Sequence, residues 1–202
     1  MHKKLNDYID ALDVSQVTES RKQVLKVLTD FIQSKVGAEQ PIHLNFICTH
    51  NSRRSHLGQV WSTAMASYFN IPEVLTYSGG TETTAVFPMI IDTLEYQGFE
   101  VESLDDTDNP IYSVGYAEEE ALYLFSKKYD DESNPESDFA AIMTCSQADE
   151  NCPFIAGAEK RIAITYEDPK IADGRDDQQK VYLERSAQIA TEMKYVFSKV
   201  TV

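Results

Sequence analysis

The chain has 202 residues, the length of one domain or of one domain with an extension, and 42% hydrophobic with 10% aromatic residues is enough material for a sizeable core. Eighteen basic against 33 acidic residues leave a net charge of −15, which argues against nucleic acid or an anionic membrane as the partner. No run approaches the ~20 apolar residues of a membrane span. Met1-His2-Lys3-Lys4-Leu5 has no apolar stretch behind it, so no signal peptide is read and a cytoplasmic protein is expected. Three cysteines are too few for a disulfide-stapled secreted domain and are expected to be inert, metal-bound or chemically active.

Residues 1–40 read as a helical extension. Leu5, Tyr8, Ile9 and Leu12 stand at i, i+3, i+4 and i+7; Val17, Val24, Leu28 and Phe31 make a second stripe, with Asp13 or Ser15 as its cap. From Pro41 the pattern becomes strand–helix alternation, and 41–202 is expected to be one α/β domain. Ile42 to Cys48 predicts a buried strand, and Leu57, Val60, Trp61, Ala64 and Tyr68 the apolar face of a helix after it. Val74 to Tyr77 is a second strand, stopping at Ser78-Gly79-Gly80, and Ala85 to Tyr96 a helix broken by Gly98.

Between 100 and 137 the pattern loosens. Tyr112, Val114 and Tyr116, then Leu122, Leu124 and Phe125, predict two strands with a hairpin across Glu118-Glu119-Glu120, and the acidic clusters around it read as solvated surface. Phe139 to Thr144 and Arg161 to Tyr166 are the last strands. A final helix from about Gln178 carries Ile189, Met193, Val196, Phe197 and Val200 on one face. The fold class expected is α/β, a flavodoxin-like doubly wound parallel sheet with helices on both faces, plus an N-terminal helical extension.

The densest chemistry is Cys48-Thr49-His50-Asn51-Ser52-Arg53-Arg54-Ser55, a tight loop between a strand end and a helix start. Successive N–H groups of such a loop, at Thr49, His50, Asn51, Ser52 and Arg53, can wrap a tetrahedral oxyanion while the helix N-terminus adds positive potential. The same field favours a thiolate at Cys48, a nucleophile near neutral pH. Arg54 would clamp two oxyanion oxygens through its planar fork, and Ser55 would donate to the thiolate and cap the helix. His50 and Arg53 each have a second reading, as an imidazole in solvent and a surface charge.

Cys145 ends the strand Phe139 to Thr144, and Cys152 follows after six residues. Ligands of doubly wound sheets bind outside the carboxyl ends of the strands, so Cys48 and Cys145 can face one crevice. The spacer is too wide for the usual zinc pair or a two-residue redox pair. If it were a mobile turn or short helix, the two sulfurs could come within disulfide range. A zinc site using Cys48, Cys145, Cys152 and His50 or His56, and plain packing cysteines, stay open as alternatives. Asp168, the only aspartate followed by proline, lies at the same sheet edge and can act as a general acid; alone, Asp168-Pro169 would be a turn.

With these stations in place the chain resembles the low-molecular-weight protein tyrosine phosphatases, and the pair Cys145 and Cys152 resembles their relatives, the thioredoxin-coupled arsenate reductases. The likeness runs from about Leu44 to Phe197. It is carried by Cys48 to Ser55 with Trp61, by Tyr77-Ser78-Gly79-Gly80-Thr81-Glu82 with Thr84-Ala85-Val86, by Cys145 to Pro153 and by Tyr166-Glu167-Asp168-Pro169. The resemblance implies that Cys48 attacks arsenate held by the loop and Arg54 while Asp168 protonates the departing oxygen. It implies a Cys48–Cys145 disulfide next, then a Cys145–Cys152 disulfide reduced by thioredoxin, with no cofactor. A phosphatase acting through a phosphocysteine at Cys48 is the alternative. His50 stands where these loops usually carry glycine, so a backbone position favouring φ > 0 is expected to accept a bulky residue. Gln59 replaces a frequent glutamate tied to a monovalent cation, and Lys170-Ile171 follows the Asp-Pro where the phosphatases place aromatic residues.

Overall fold

A computed structural model describes residues 1–151 and 154–202. In chain order the elements are α1 (Lys3–Ala11), a 3-10 turn (Val14–Gln16), α2 (Glu19–Gly37), β1 (Ile42–Cys48), α3 (Arg54–Tyr68), β2 (Val74–Gly80) and α4 (Pro88–Gln97). There follow β3 (Glu100–Ser103), β4 (Tyr112–Ala117), β5 (Glu120–Leu124), β6 (Phe139–Met143), α5 (Ser146–Asn151), β7 (Ala158–Ala163), a second 3-10 turn (Pro169–Ala172) and α6 (Gln178–Phe197). Four parallel strands pair in the order β2-β1-β6-β7, and β3-β4-β5 form a separate antiparallel sheet. The fold is α/β with a doubly wound parallel sheet, as the alternation predicts.

Side-chain alternation divides the core. Leu44, Phe46, Ala140 and Ile142 join the main cluster, shared with Trp61, Tyr182 and Phe197 of the long helices. Ile47, Phe139, Ala141 and Met143 face the other way and pack with Cys145, Ala148 and Ile155. Helices therefore cover the two faces unevenly, with short α5 on the second. α3 docks so closely that a Cβ at Gly58 would stand 2.4 Å from the Phe46 ring.

The N-terminal helices are built into the same core. Tyr8 stacks on Trp61 at 5.7 Å, and a buried relay runs from Trp61 Nε1 to Ser186 Oγ, from Ser186 Oγ to Gln97 Oε1, and from Gln97 Nε2 to Tyr8 OH. Each such pairing keeps a polar group satisfied where water is excluded.

Boundaries differ from the sequence reading where local chemistry competes. Asp13 caps the 3-10 turn through the Ser15 N–H, and Thr18 caps α2 through the Arg21 N–H. α4 starts at Pro88, a residue suited to a first helical position. The hairpin forms with Glu119 at φ 60°, and β3 adds an unpredicted third strand to it. β7 begins at Ala158, and the predicted strand residues beyond it still follow β6 through Ile164 N–H to Met143 O and Tyr166 N–H to Thr144 O. Among the described residues no helix is long and apolar enough to cross a membrane.

Candidate active site

β1 ends at Cys48, in register with Gly80 of β2, and its last pair with β6 is Ile47 to Met143. The loop from Thr49 to Arg53 is held from outside by its carbonyls. Cys48 O accepts from Thr81 N–H, Thr49 O from Glu82 N–H and the Thr81 hydroxyl, and His50 O from the Thr84 and Ser126 hydroxyls. Asn51 O accepts from His56 Nε2 and Ser52 O from Phe87 N–H. In a trans peptide the N–H points opposite to the preceding C=O. Five outward carbonyls thus turn the N–H groups of Thr49, His50, Asn51, Ser52 and Arg53 to the other side, where they meet no acceptor among the described residues. Such a row of amides at a helix start is an anion cradle.

The cradle is locked by Asn51, whose φ is 43°. Its carboxamide oxygen accepts from Lys127 N–H at 2.8 Å, which fixes its Nδ2 as donor to Ser55 Oγ at 2.9 Å. Ser55 Oγ is then an acceptor toward Asn51, and its one O–H is left for Cys48 Sγ at 3.1 Å. The left-handed residue is therefore Asn51, not His50. Asparagine tolerates that region because its side chain bonds locally. His50 projects to Glu82, 3.5 Å away. Ser55 lies inside α3 and is not its cap; Arg53 holds the cap position without a side-chain cap bond, so the helix N-terminus keeps its free amides.

Behind the loop His56 is fully buried, with Nε2 2.8 Å from Asn51 O and Nδ1 3.1 Å from Ser78 Oγ. Burial and then the Lys127 charge pull its pKa down to about 3, so the ring is neutral, donating from Nε2 and accepting at Nδ1. Lys127 is 5% exposed, its ammonium 4.2 Å from the Phe125 ring. Burial lowers its pKa to about 8 against the opposing pull of Asp131. Gly80 completes the frame: a Cβ there would stand 2.7 Å from Asn51 N and 2.8 Å from Thr49 O.

The two adjacent arginines do different things. Arg54 donates from Nη1 to Tyr166 O at 2.9 Å and from Nη2 to Asp168 Oδ2 at 2.5 Å, while its buried Nε has no partner among the described residues. Asp168 also accepts from Lys170 N–H, so it is both a turn cap and a partner of Arg54. Arg53 turns away from the cradle, donating to Tyr182 OH and Asp173 at 2.7 Å each and lying 4.0 Å from the Phe87 ring centroid. Its side chain belongs to the scaffold, and the residue offers an anion only its amide.

Cys145 is 1% exposed; its Sγ accepts from Ala148 N–H at 3.3 Å and lies 3.5 Å from Thr49 Oγ1. A cleft of about 520 Å³ is lined by Arg54, Cys145, Ser146, Gln147 and Thr165 to Asp168. Cys48 itself is 4% exposed. The structure thus gathers Cys48, the loop amides, Arg54, Ser55, Asp168 and Cys145 at one end of the sheet. The six residues between Cys145 and Cys152 are α5; Cys152 lies outside the described residues. Both ring nitrogens of His56 are engaged, and no cluster of three or more metal-ligating side chains exists among the described residues. Sequence reasoning missed Lys127, the scaffold role of His56 and the donor Ser126, none of which stands in a recognisable motif; Thr84 was singled out, but not as a donor to the loop.

No protein-family model matches the chain. Over 124 residues, 61% of this chain and 76% of the relative, it is 28% identical to arsenate reductase 2 of Staphylococcus epidermidis. The fold is similar to that of an arsenate reductase in its phosphate-binding state, with TM-score 0.51, 17% identity, and coverage of 79% of this chain and 99% of that one. It is also similar to a low-molecular-weight phosphotyrosine phosphatase from Vibrio cholerae, with TM-score 0.51, 12% identity, and coverage of 78% and 94%.

Proposed function

For a chain with the fold of the low-molecular-weight protein tyrosine phosphatase superfamily and a sequence similar to arsenate reductases, we propose the reduction of arsenate to arsenite by a three-cysteine relay in the cytoplasm. The observation that carries the reading is the second thiol. Cys145 lies two residues beyond the end of β6, the strand beside that of Cys48, and its sulfur is 3.5 Å from the hydroxyl of the residue next to Cys48.

The oxyanion enters the cradle of amides 49–53 and draws on the guanidinium of Arg54. Cys48 thiolate, steadied by the Ser55 hydroxyl, forms a bond to arsenic(V) while Asp168 gives its proton to the departing oxygen, which leaves as water. Cys145 thiolate then attacks Cys48 Sγ. The sulfur–arsenic bond breaks with its electron pair going to arsenic, arsenite departs, and a Cys48–Cys145 disulfide remains. Cys152 attacks Cys145 Sγ, releasing Cys48 thiolate, and the Cys145–Cys152 disulfide is reduced by the dithiol of thioredoxin. Two electrons pass from two thiols to arsenic, so the balance needs no other cofactor. Six helical residues span about 9 Å, beyond the ~7 Å between Cα atoms that a disulfide tolerates, so α5 must open for the last exchange.

A second reading, phosphomonoester hydrolysis, is favoured by the completeness of Cys48, Arg54 and Asp168 for that chemistry without Cys145. Lys170 and Ile171 follow Asp168, where the phosphatases place the aromatic residues that support a phosphotyrosine ring. The test is NADPH consumption with arsenate, thioredoxin and thioredoxin reductase. Turnover by the native chain that vanishes in Cys145→Ser is expected. Aryl phosphate hydrolysis by both forms, with no arsenate-dependent turnover, would establish the second reading instead.

A further inference from the structure

Arg53 and Arg54 grip the two ends of one segment. Arg54 holds Tyr166 O and the Asp168 carboxylate, and Arg53 holds Asp173 Oδ2 with Nη2 while its Nε donates to Tyr182 OH, which in turn donates to Asp173 Oδ1 at 2.6 Å. Between these grips lie Asp168 and the 3-10 turn Pro169–Ala172. The grips differ in what an anion does to them. An oxyanion in the cradle competes with Asp168 for the planar fork of Arg54, since one guanidinium edge cannot serve both fully. The Arg53 grip faces the scaffold: the Arg53 side chain is 12% exposed against 26% for Asp173, Phe87 covers the guanidinium at 4.0 Å, and the Phe87 ring stacks on Tyr182. Nothing in the anion site competes for it.

We propose that Arg53 is a positioning residue that keeps the Asp168 segment over the cleft once an oxyanion has drawn Arg54 away from Asp168. The inference rests on the reading of the site given above, and deepens it by assigning the hold on the general acid. Arg53 acts from the anion loop itself, so the loop that binds substrate also carries the anchor of the acid that acts on it. Asp173, five residues beyond Asp168, is the far end of that anchor.

The deciding experiment needs no turnover. Arg54→Ala removes the competing grip, as a bound anion would. Hydrogen exchange at the amides of Lys170, Ile171 and Asp173, which donate to Asp168 Oδ1, Asp168 O and Lys170 O, reports the segment. Protection in Arg54→Ala close to native, with exchange at least tenfold faster in Arg54→Ala combined with Asp173→Asn, is expected. Loss of protection in Arg54→Ala alone would overturn the proposal. In the otherwise native chain, Asp173→Asn and Arg53→Met should each lower kcat about tenfold, with KM for arsenate and the inhibition constant of inorganic phosphate unchanged. Weakened phosphate binding in both would make the pair part of the anion loop, and an unchanged kcat would leave it without a catalytic role; either result overturns the proposal. Absence of arsenate turnover in the native chain would refute the function instead, and the exchange comparison would still decide the role of Arg53.

Discussion

Thr49 Oγ1 lies 3.5 Å from Cys145 Sγ, and the same sulfur accepts the Ala148 N–H at 3.3 Å. The residue after the first thiol therefore touches the second thiol, which the parallel register of β1 and β6 brings to the neighbouring strand end. The Ala148 N–H donates to this buried sulfur, while the Thr49 hydroxyl sits between it and Gln147 Oε1, which lies 3.5 Å away and accepts its proton. Thr49→Val keeps the shape and removes the polar contact with Cys145 and Gln147. A hydrogen bond of this kind contributes about 1 kcal/mol, so kcat for arsenate should fall roughly fivefold. The rate of Cys48 alkylation should stay native; a parallel fall in both would mean that the substitution disturbs the cradle.

Ser55 is constrained by logic as well as by distance. Because Asn51 Nδ2 donates to its oxygen, its proton is committed to Cys48 Sγ. In Ser55→Ala the thiolate loses a charge-assisted bond worth about 1.5–3 kcal/mol. Iodoacetamide labelling of Cys48 at neutral pH should slow about tenfold or more, and the melting temperature should fall as well, because the buried Asn51 Nδ2 loses its acceptor.

The buried neutral His56 makes the loop sensitive to acid. Its folded pKa, about 3, lies below the ordinary 6.5, so in acid the unfolded chain binds a proton that the folded chain refuses. The stability His56 leaves intact above pH ~6.5 is lost as pH falls from there toward the folded value, at about 1.4 kcal/mol per pH unit. His56→Gln lacks the titrating group. Between pH ~6.5 and ~5 the native chain should lose about 2 kcal/mol more than the variant, measured by denaturant unfolding at each pH. Equal slopes would mean that His56 charges within the folded state.

The cradle and the fold class were legible because both are local: a strand, a short loop and a helix start in eight consecutive residues, and apolar periodicity elsewhere. Asp168 was legible through its proline. Arg53 was not, because whether an arginine meets an anion or the scaffold depends on Asp173 and Tyr182, more than 100 residues away. His50 misled for a related reason. Glycine at a loop position suggests positive φ there, whereas the left-handed turn falls one residue later, on an asparagine whose side chain Lys127 N–H and Ser55 Oγ hold in place. Lys127 comes from the segment whose pattern is weakest, and its burial is a tertiary fact.

Helix α5 occupies all six positions between Cys145 and Cys152, and it is fastened at Asp149, whose carboxylate and carbonyl oxygens each lie 2.5 Å from Arg161 Nη2. Its contribution to the core is slight, since Ala148 is its one apolar side chain in the cluster behind β1 and β6. An element with so few buried contacts sits at the low end of local stability. A disulfide across it requires that its turns unwind, because helical rise keeps its ends too far apart. Oxidation of the protein should therefore remove the exchange protection of the amides near Ala148 and Asp149 while the protection of β1, β6 and α3 persists. In Cys152→Ser, where that disulfide cannot form, oxidation should leave α5 protected. A helix that stays protected in the oxidised native chain would exclude the Cys145–Cys152 bond, and with it the final exchange of the relay.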